Sequence, residues 1–233
     1  MGGEIIMTDE EWLEVARECS TENIPFLSSM PEKEKTELLE RSELRRVRKG
    51  SYLFREGDNV DAIYIILKGK VKLTRFDAEG REQIVGIFAK SDTVWEGMLL
   101  EDSHFPYSGV SMVNTFVCII YRSDFVKVLS DFHVALNIIA LLSRKLHDAN
   151  ERNLLLSTKD PKARLAAFLL YREKRDHEET IDLRLEDIAA SLSMRPETAS
   201  RKIKELSDEG LIKRVGKSRI QIVNFEGLED ARM

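Results

Sequence analysis

Cysteine is scarce in this chain: Cys19 and Cys118 are its only two, in 233 residues. Two thiols build neither a disulfide framework nor a four-cysteine metal site, and reduced thiols in a cytosolic protein are the plain expectation. Histidine is scarce as well. His104, His133, His147 and His177 show no paired spacing, so no histidine metal site or haem pair is expected. No apolar run comes near the roughly 18 residues of a membrane span. The N-terminus, MGGEIIMTDEEW, lacks the basic and apolar regions of a secretory signal and the Ser or Thr of a myristoylation motif. The expectation is a cytoplasmic protein with no membrane partner and no cofactor. Neither a Ser-His-Asp or Cys-His arrangement nor a glycine-rich phosphate loop is evident, so an enzyme is not expected. Excess positive charge is missing too: the formal net charge is -5. Any nucleic-acid role must therefore come from local charge.

What is present is 42% hydrophobic and 33% charged residues, which argues for a soluble fold with real cores in one or two domains. Thr8 and Glu11 form a T-x-x-E capping box ahead of Trp12, Leu13, Val15 and Ala16, predicting a short helix. Pro31, at a first helical position, predicts a second through Leu38 and Leu39. From Lys49 to about Ser123 the texture turns to short β-rich runs: SYLF, AIYIIL, KVKLTRF, EQIVGIF and TFVCIIY. Turn signals separate them at Glu56-Gly57-Asp58, Lys68-Gly69, Asp77 to Gly80 and Lys90 to Asp92. This spacing predicts an antiparallel sandwich or barrel. YIILKGKVKL and RFDAEGREQIV read as hairpin halves, and alternation sends Ile63, Ile65, Leu67, Val71 and Leu73 to one face.

A long helical stretch follows, about Ala135 to Ser157. Leu142, Leu146, Ala149, Asn153 and Leu156 recur at alternating four- and three-residue steps. That is a narrow seam like a coiled coil's, with one polar member, Asn153. Its flanks, Arg144, Lys145, Asp148, Glu151 and Arg152, are charged. A homodimer helix is the expectation, and a helix packed on its own domain is the plain alternative. Asp160-Pro161 breaks the pattern, and KARLAAFLLYREKR opens a strongly amphipathic helix from Pro161.

The segment LEDIAASLSMRPETASRKIKELSDEGLIKRVGKSRIQIV reads helix, tight turn, helix, Gly210 cap, strand, Gly216 turn, strand. That is the winged helix-turn-helix pattern. The first helix is expected to bury Leu185, Ile188, Ala189 and Leu192, and the second, from Pro196, Ala199, Ile203 and Leu206. Between Arg195 and Arg219 there are eight basic residues against four acidic ones. Local positive charge of this kind is a footprint for phosphates. Glu197, Ser200 and Arg201 lie at the start of the second helix, where a recognition helix reads base edges. Arg pairs with guanine, Glu accepts from cytosine and Ser adapts. The alternative is local: Glu197 favouring the helix dipole and Arg201 pairing with Glu205 across one turn.

PETASRKIKEL and NLLLSTKDPKARLAAFLL together resemble the CRP/FNR family of bacterial transcription regulators, the first matching the E-T-x-S-R recognition-helix pattern of its FNR branch. The resemblance covers nearly the whole chain. It implies an α+β fold in four parts: an N-terminal helical segment (1–48), an antiparallel β-roll of the cyclic-nucleotide-binding type (49–132), a dimerisation helix (133–158) and a winged helix-turn-helix domain (159–233). It further implies a homodimer on palindromic double-stranded DNA, with half-site centres about 34 Å apart, and RNA polymerase as an expected further partner. Glu197, Ser200 and Arg201 would read a TTGAT-like half-site, Arg201 on the guanine. Thr198 and Lys202 would touch the backbone, with Arg195, Lys204 and Lys217 completing the DNA-binding set. Two departures stand out: Ser193 occupies the usual glycine of the turn, and Arg195 is a poor N-cap.

In the family's cyclic-nucleotide members a G-E-L run and an Arg-Ser pair hold the phosphate. Here VWEGMLLEDSHFPYSGV keeps Glu96 and Ser108, but Trp95 fills the glycine position and Pro106 or Tyr107 stands where the arginine belongs. Without that bidentate contact, cyclic nucleotide binding is not expected. Cys118 lies at a strand position matching a ligand of the FNR-branch iron–sulfur cluster, but two thiols cannot complete four-cysteine ligation; a small buried hydrophobe is the expectation. What remains is an unidentified small organic effector held by Trp95, Glu96, His104, Phe105, Tyr107 and Ser108. It would act by shifting the dimer helix and with it the recognition helices. The alternative is that these aromatics are core and the regulator is ligand-independent. A metal cupin would need clustered His and Glu ligands, and His104 alone falls in this segment.

Overall fold

Runs rich in β-branched and aromatic residues become eight short strands in the computed structural model: β1 (Glu43–Val47), β2 (Tyr52–Phe54), β3 (Ala62–Lys68), β4 (Val71–Phe76), β5 (Glu82–Phe88), β6 (Thr93–Val94), β7 (Ser108–Ser111) and β8 (Thr115–Tyr121). The structure describes residues 24, 27–28, 30–95, 97–100, 102–129, 131–176, 180–216 and 218–232. The Thr8–Glu11 capping box and its helix, Cys19, Glu96, His177 and Lys217 lie outside the described residues. The strands form two four-stranded sheets, in the orders β1-β8-β3-β6 and β2-β7-β4-β5. β8 pairs antiparallel with both β1 and β3, and β7 with both β2 and β4.

Three expectations are corrected here. β3 and β4 are not paired with each other, because the chain changes sheet at Gly69. Its φ is +104°, and an added Cβ would lie 2.8 Å from Thr115 Cα and 2.9 Å from the Asn114 carbonyl, so only glycine turns this corner. β3 does not alternate: Ala62 to Leu67 are all buried, since the strand is enclosed on both faces. β1, with its charged ELRRV sequence, belongs to the roll and not to a helical segment; Val47 is its one buried residue.

Helix α1 (Glu32–Glu40) starts one residue later than expected, with Pro31 as its N-cap at ψ 144°. Helices α2 (Arg122–Val128) and α3 (Phe132–Ser157) follow β8. α3 begins three residues before the predicted Ala135 because the Asp131 carboxylate accepts from the backbone N–H groups of His133 and Val134, at 2.8 and 3.0 Å. Phe125 of α2 and Val134, Ile138 and Leu141 of α3 join the core of the roll.

The chain divides into two compact units, Met1–Arg75 with Val85–Lys145, and Phe76–Ile84 with Leu146–Met233. The boundary falls inside α3, and the tip of the β4–β5 hairpin groups with the C-terminal unit. There, Asp160 accepts from the Ala163 N–H at 2.7 Å and Pro161 opens α4 (Pro161–Asp176). Then come β9 (Thr180–Asp182), α5 (Leu185–Ser191), α6 (Pro196–Asp208), β10 (Ile212–Val215), β11 (Arg219–Ile222) and α7 (Phe225–Asp230). The small sheet runs β10-β11-β9. Ile188, Ala189, Leu192, Ala199, Ile203, Leu206 and Ile220 fill its core, while Leu185 is only half-buried.

Candidate DNA-binding surface and effector roll

The turn between α5 and α6 decides how α6 is presented. Leu192 caps α5, and Ser193 follows at φ 52°, so the left-handed turn has not relaxed to suit serine. The Met194 N–H reaches back to the Ala189 carbonyl at 2.9 Å, which is the Schellman closure of a helix end. Arg195 then sits at the N-cap without a side-chain cap, and Pro196 supplies the first helical φ.

α6 has two opposite stripes. Ala199, Ile203 and Leu206 are buried. Glu197, Ser200, Arg201 and Lys204, spaced i, i+3, i+4 and i+7, form the outward one. Glu197, Arg201 and Lys204 are exposed and Ser200 is half-buried. The alternative, a local pair of Arg201 with Glu205, is not formed. Lys202 takes Glu205 instead, at 2.6 Å, with its side chain only 18% exposed. Among the described residues no ion pair engages Arg201, and its guanidinium stands ready for a two-pronged acceptor. Thr198 and Lys202 flank the stripe. Arg195 at the helix start and Lys213, Arg214 and Arg219 on the β10–β11 wing are exposed. Gly216 turns the wing at φ 73°.

The effector residues separate into two groups. Trp95 is 3% exposed and packs edge-on against Phe125, with centroids 5.8 Å apart. Phe105 is stacked on Phe54 at 3.8 Å, and Tyr64 and Tyr107 surround that pair at 5.2 to 6.4 Å. Trp95 and Phe105 are thus core rings packed against other rings. Phe54 and Tyr64, hidden in the strand runs SYLF and AIYIIL, carry no signal that distinguishes them from ordinary strand residues. The Ser108 hydroxyl accepts from the Glu56 N–H at 3.0 Å. His104 is exposed and donates from Nδ1 to the Asp102 carbonyl at 2.9 Å. Cys118 is buried on β8, opposite Leu44 and Ile65. Among the described residues no group of three His, Cys, Asp or Glu side chains is placed to hold a metal.

α3 has a second apolar face besides the one it gives to the roll. Leu142, Leu146, Ala149 and Asn153 are exposed, and Leu156 is half-buried. The stripe continues N-terminally through Ile139, Leu136 and Phe132, which sequence reading missed; Leu146 is 64% and Phe132 69% exposed. No single helix among the described residues is long and apolar enough to cross a membrane.

Residues 44–132 match the cyclic nucleotide-binding domain family, and residues 163–231 the Crp-like helix-turn-helix domain family. The cyclic AMP receptor protein of Thermus thermophilus is 28% identical over 182 residues, spanning 78% of this chain and 84% of that one. The transcriptional activator protein FnrA of Stutzerimonas stutzeri is 27% identical over 194 residues, 79% of this chain and 78% of that one. The structure of FixK2 from Bradyrhizobium japonicum superposes with a TM-score of 0.74 at 24% identity, covering 82% of this chain and 98% of that one, a likeness of fold. A β-roll, a long helix and a winged helix-turn-helix in this order, matched in both domains, place the chain in the CRP/FNR family of DNA-binding transcription regulators.

Proposed function

We propose that the protein is a homodimeric regulator that reads a TTGAT-like palindrome through Glu197, Ser200 and Arg201, in the cytoplasm. The observation that carries this reading is the outward stripe of α6, where an uncommitted Arg201 stands beside Glu197 and Ser200, opposite the buried face of Ala199, Ile203 and Leu206. Arg195, Lys204 and Lys217 supply phosphate contacts, with Thr198 and Lys202 on the flank. The exposed stripe of α3 from Leu142 through Leu146, Ala149, Asn153 and Leu156 supports pairing with a second copy. Fluorescence anisotropy on a TTGAT-N4-ATCAA duplex tests the reading. Preference over a scrambled duplex is the expected result; equal affinity for both, with and without cell extract, defeats it.

Two readings of the roll remain, and the aromatic packing favours one. A domain matching the cyclic nucleotide-binding family supports a small effector, as the sequence expects for Trp95, Glu96, His104, Phe105, Tyr107 and Ser108. The Phe54–Phe105 stack favours a regulator that works without a cyclic nucleotide, since the rings already fill one another's contact surface. Calorimetry with cyclic AMP and cyclic GMP tests the cyclic-nucleotide alternative: stoichiometric heat would establish it against the stack.

A further inference from the structure

Positions 145 and 152 of α3 lie seven residues apart, on the flank that a coiled coil gives to charged pairs with a partner helix. Both side chains are turned instead toward backbone of their own chain. Within the N-terminal unit, Lys145 Nζ donates to the Thr93 carbonyl at 2.5 Å and lies 5.5 Å from the centre of the Phe88 ring. Within the C-terminal unit, Arg152 Nη2 donates to the carbonyls of Ile84 and, at 3.4 Å, of Ser191.

Ile84 closes the hairpin segment Phe76–Ile84, and Ser191 is the last residue of α5, two before the left-handed Ser193. One nitrogen of Arg152 therefore meets both the hairpin and the turn that presents α6. Among the described residues no carboxylate pairs with Arg152. Burial pulls its proton affinity down; the Tyr171 phenol acts against this, while Arg175 and Arg172 add to it. Arginine keeps its charge even so. A half-buried cation facing backbone carbonyls is a poor stabiliser, but the two N–H groups of Nη2 reach two acceptors on different elements at once. Arg164 reinforces the same turn, donating to the Leu192 carbonyl at 3.1 Å and to Thr158 at 2.8 Å.

We propose that Arg152 is a positioning residue that couples the β4–β5 hairpin to the helix-turn-helix turn, so that a displacement of the hairpin is passed to the recognition helix through the Ser191 carbonyl. This rests on the assignment of α6 as the DNA-reading helix. Hydrogen exchange on the full-length protein tests it, free and bound to the TTGAT-N4-ATCAA duplex. In the wild type, DNA slows exchange at residues 191–194 and also at 76–84. In Arg152→Gln it slows only the first, and the preference for the palindrome over scrambled DNA falls by about two- to thirtyfold. Arg144→Gln, exposed on the same helix, behaves as wild type. Arg152→Met, which keeps the stem and removes every donor, replaces the glutamine variant where that fails to fold. A hairpin that still responds to DNA without Arg152 overturns the coupling, because a merely structural arginine would loosen both segments and leave the response intact. A wild type that does not prefer the palindrome overturns the DNA-reading assignment instead. The coupling is then judged with the scrambled duplex, which must slow exchange at both segments in the wild type and only at 191–194 in Arg152→Gln.

Discussion

Replacing Ser193 by glycine is expected to stabilise the protein. Ser193 and Gly210 occupy the same place in two successive helix ends, at φ 52° and φ 71°. In the first, the Met194 N–H closes on Ala189; in the second, the Leu211 N–H closes on Leu206 at 3.0 Å. A residue with a Cβ pays about 1–2 kcal/mol for the left-handed conformation. Glycine gives back about 0.4–1 kcal/mol through its freer unfolded chain. The difference puts Ser193→Gly at about 1 kcal/mol stabilising. Nothing else is lost, since Ser193 is exposed and makes no side-chain hydrogen bond among the described residues. Gly210→Ser should cost a similar amount, because a Cβ at Gly210 meets nothing within 4 Å and the penalty is backbone strain alone. Equilibrium urea unfolding of the full-length chain reads both. With a slope of about 1–3 kcal/mol per molar urea, each midpoint moves by roughly 0.3–1 M, in opposite directions. A lower midpoint for Ser193→Gly, or an unmoved one for Gly210→Ser, would refute the argument from backbone conformation.

Other substitutions probe the two surfaces and the roll. Arg201→Ala should weaken binding to the palindrome by about 1–3 kcal/mol and relax preference at the guanine, measured by anisotropy on single-base variants of the duplex. Leu146→Ala should weaken self-association. Leu146 has most of its burial left to gain, about 1–2 kcal/mol per copy, so sedimentation equilibrium should show a dissociation constant roughly 30- to 1,000-fold higher. Phe105→Ala should cost about 3–5 kcal/mol in urea unfolding, as loss of a stacked core ring does. Burial, with Asp61 adding, pushes the Tyr64 phenol up from 10.0 to about 12. The folded state therefore holds this proton longer than the unfolded one. Its contribution to stability is full below pH 10, declines above it and is gone past about 12, and Tyr64→Phe should flatten that part of the alkaline unfolding profile.

The C-terminal module was legible because each of its signals is local. Pro196 fixes a start, Gly210 and Gly216 fix stops, and Ala199, Ile203 and Leu206 share one face. The departure at Ser193 could be read as strain for the same reason. The roll was less legible because its decisive features are non-local. Nothing in KGK announces that Gly69 must leave one sheet for the other; that follows from Thr115, 46 positions later in sequence, pressing on it. ELRRV has no strand pattern until β8 lies beside it. Trp95 and Phe105 looked alike as aromatics in one loop, and the fold sends them to different ring clusters. Lys145 and Arg152 read only as charged flanks of the seam because backbone carbonyls, their acceptors, have no signature in a sequence.

That last misreading bears on how two copies would choose each other. A coiled coil ordinarily sets partner and register with charges on both flanks of the seam. In the proposed dimer one flank offers Lys145 and Arg152, both already turned to carbonyls of their own chain. The other offers Ser143, Asn150 and Ser157, of which the two serines donate to the Ile139 and Asn153 carbonyls a turn earlier at 2.9 and 2.8 Å. None of these five positions holds an acid for a partner's cation; Asp148 and Glu151 lie further round the helix. Register in the pair must then come from the seam itself, and its one polar member is Asn153, which costs stability but pairs well only with its own copy. The apolar residues Phe132 to Leu146 would supply the affinity and Asn153 the alignment. The two cations are held by the Thr93 and Ile84 carbonyls, so neither is free to pair across the proposed seam. If the proposed pairing forms, the flank that ordinary coiled coils spend on partner choice is, in this chain, already spent on contacts within one copy.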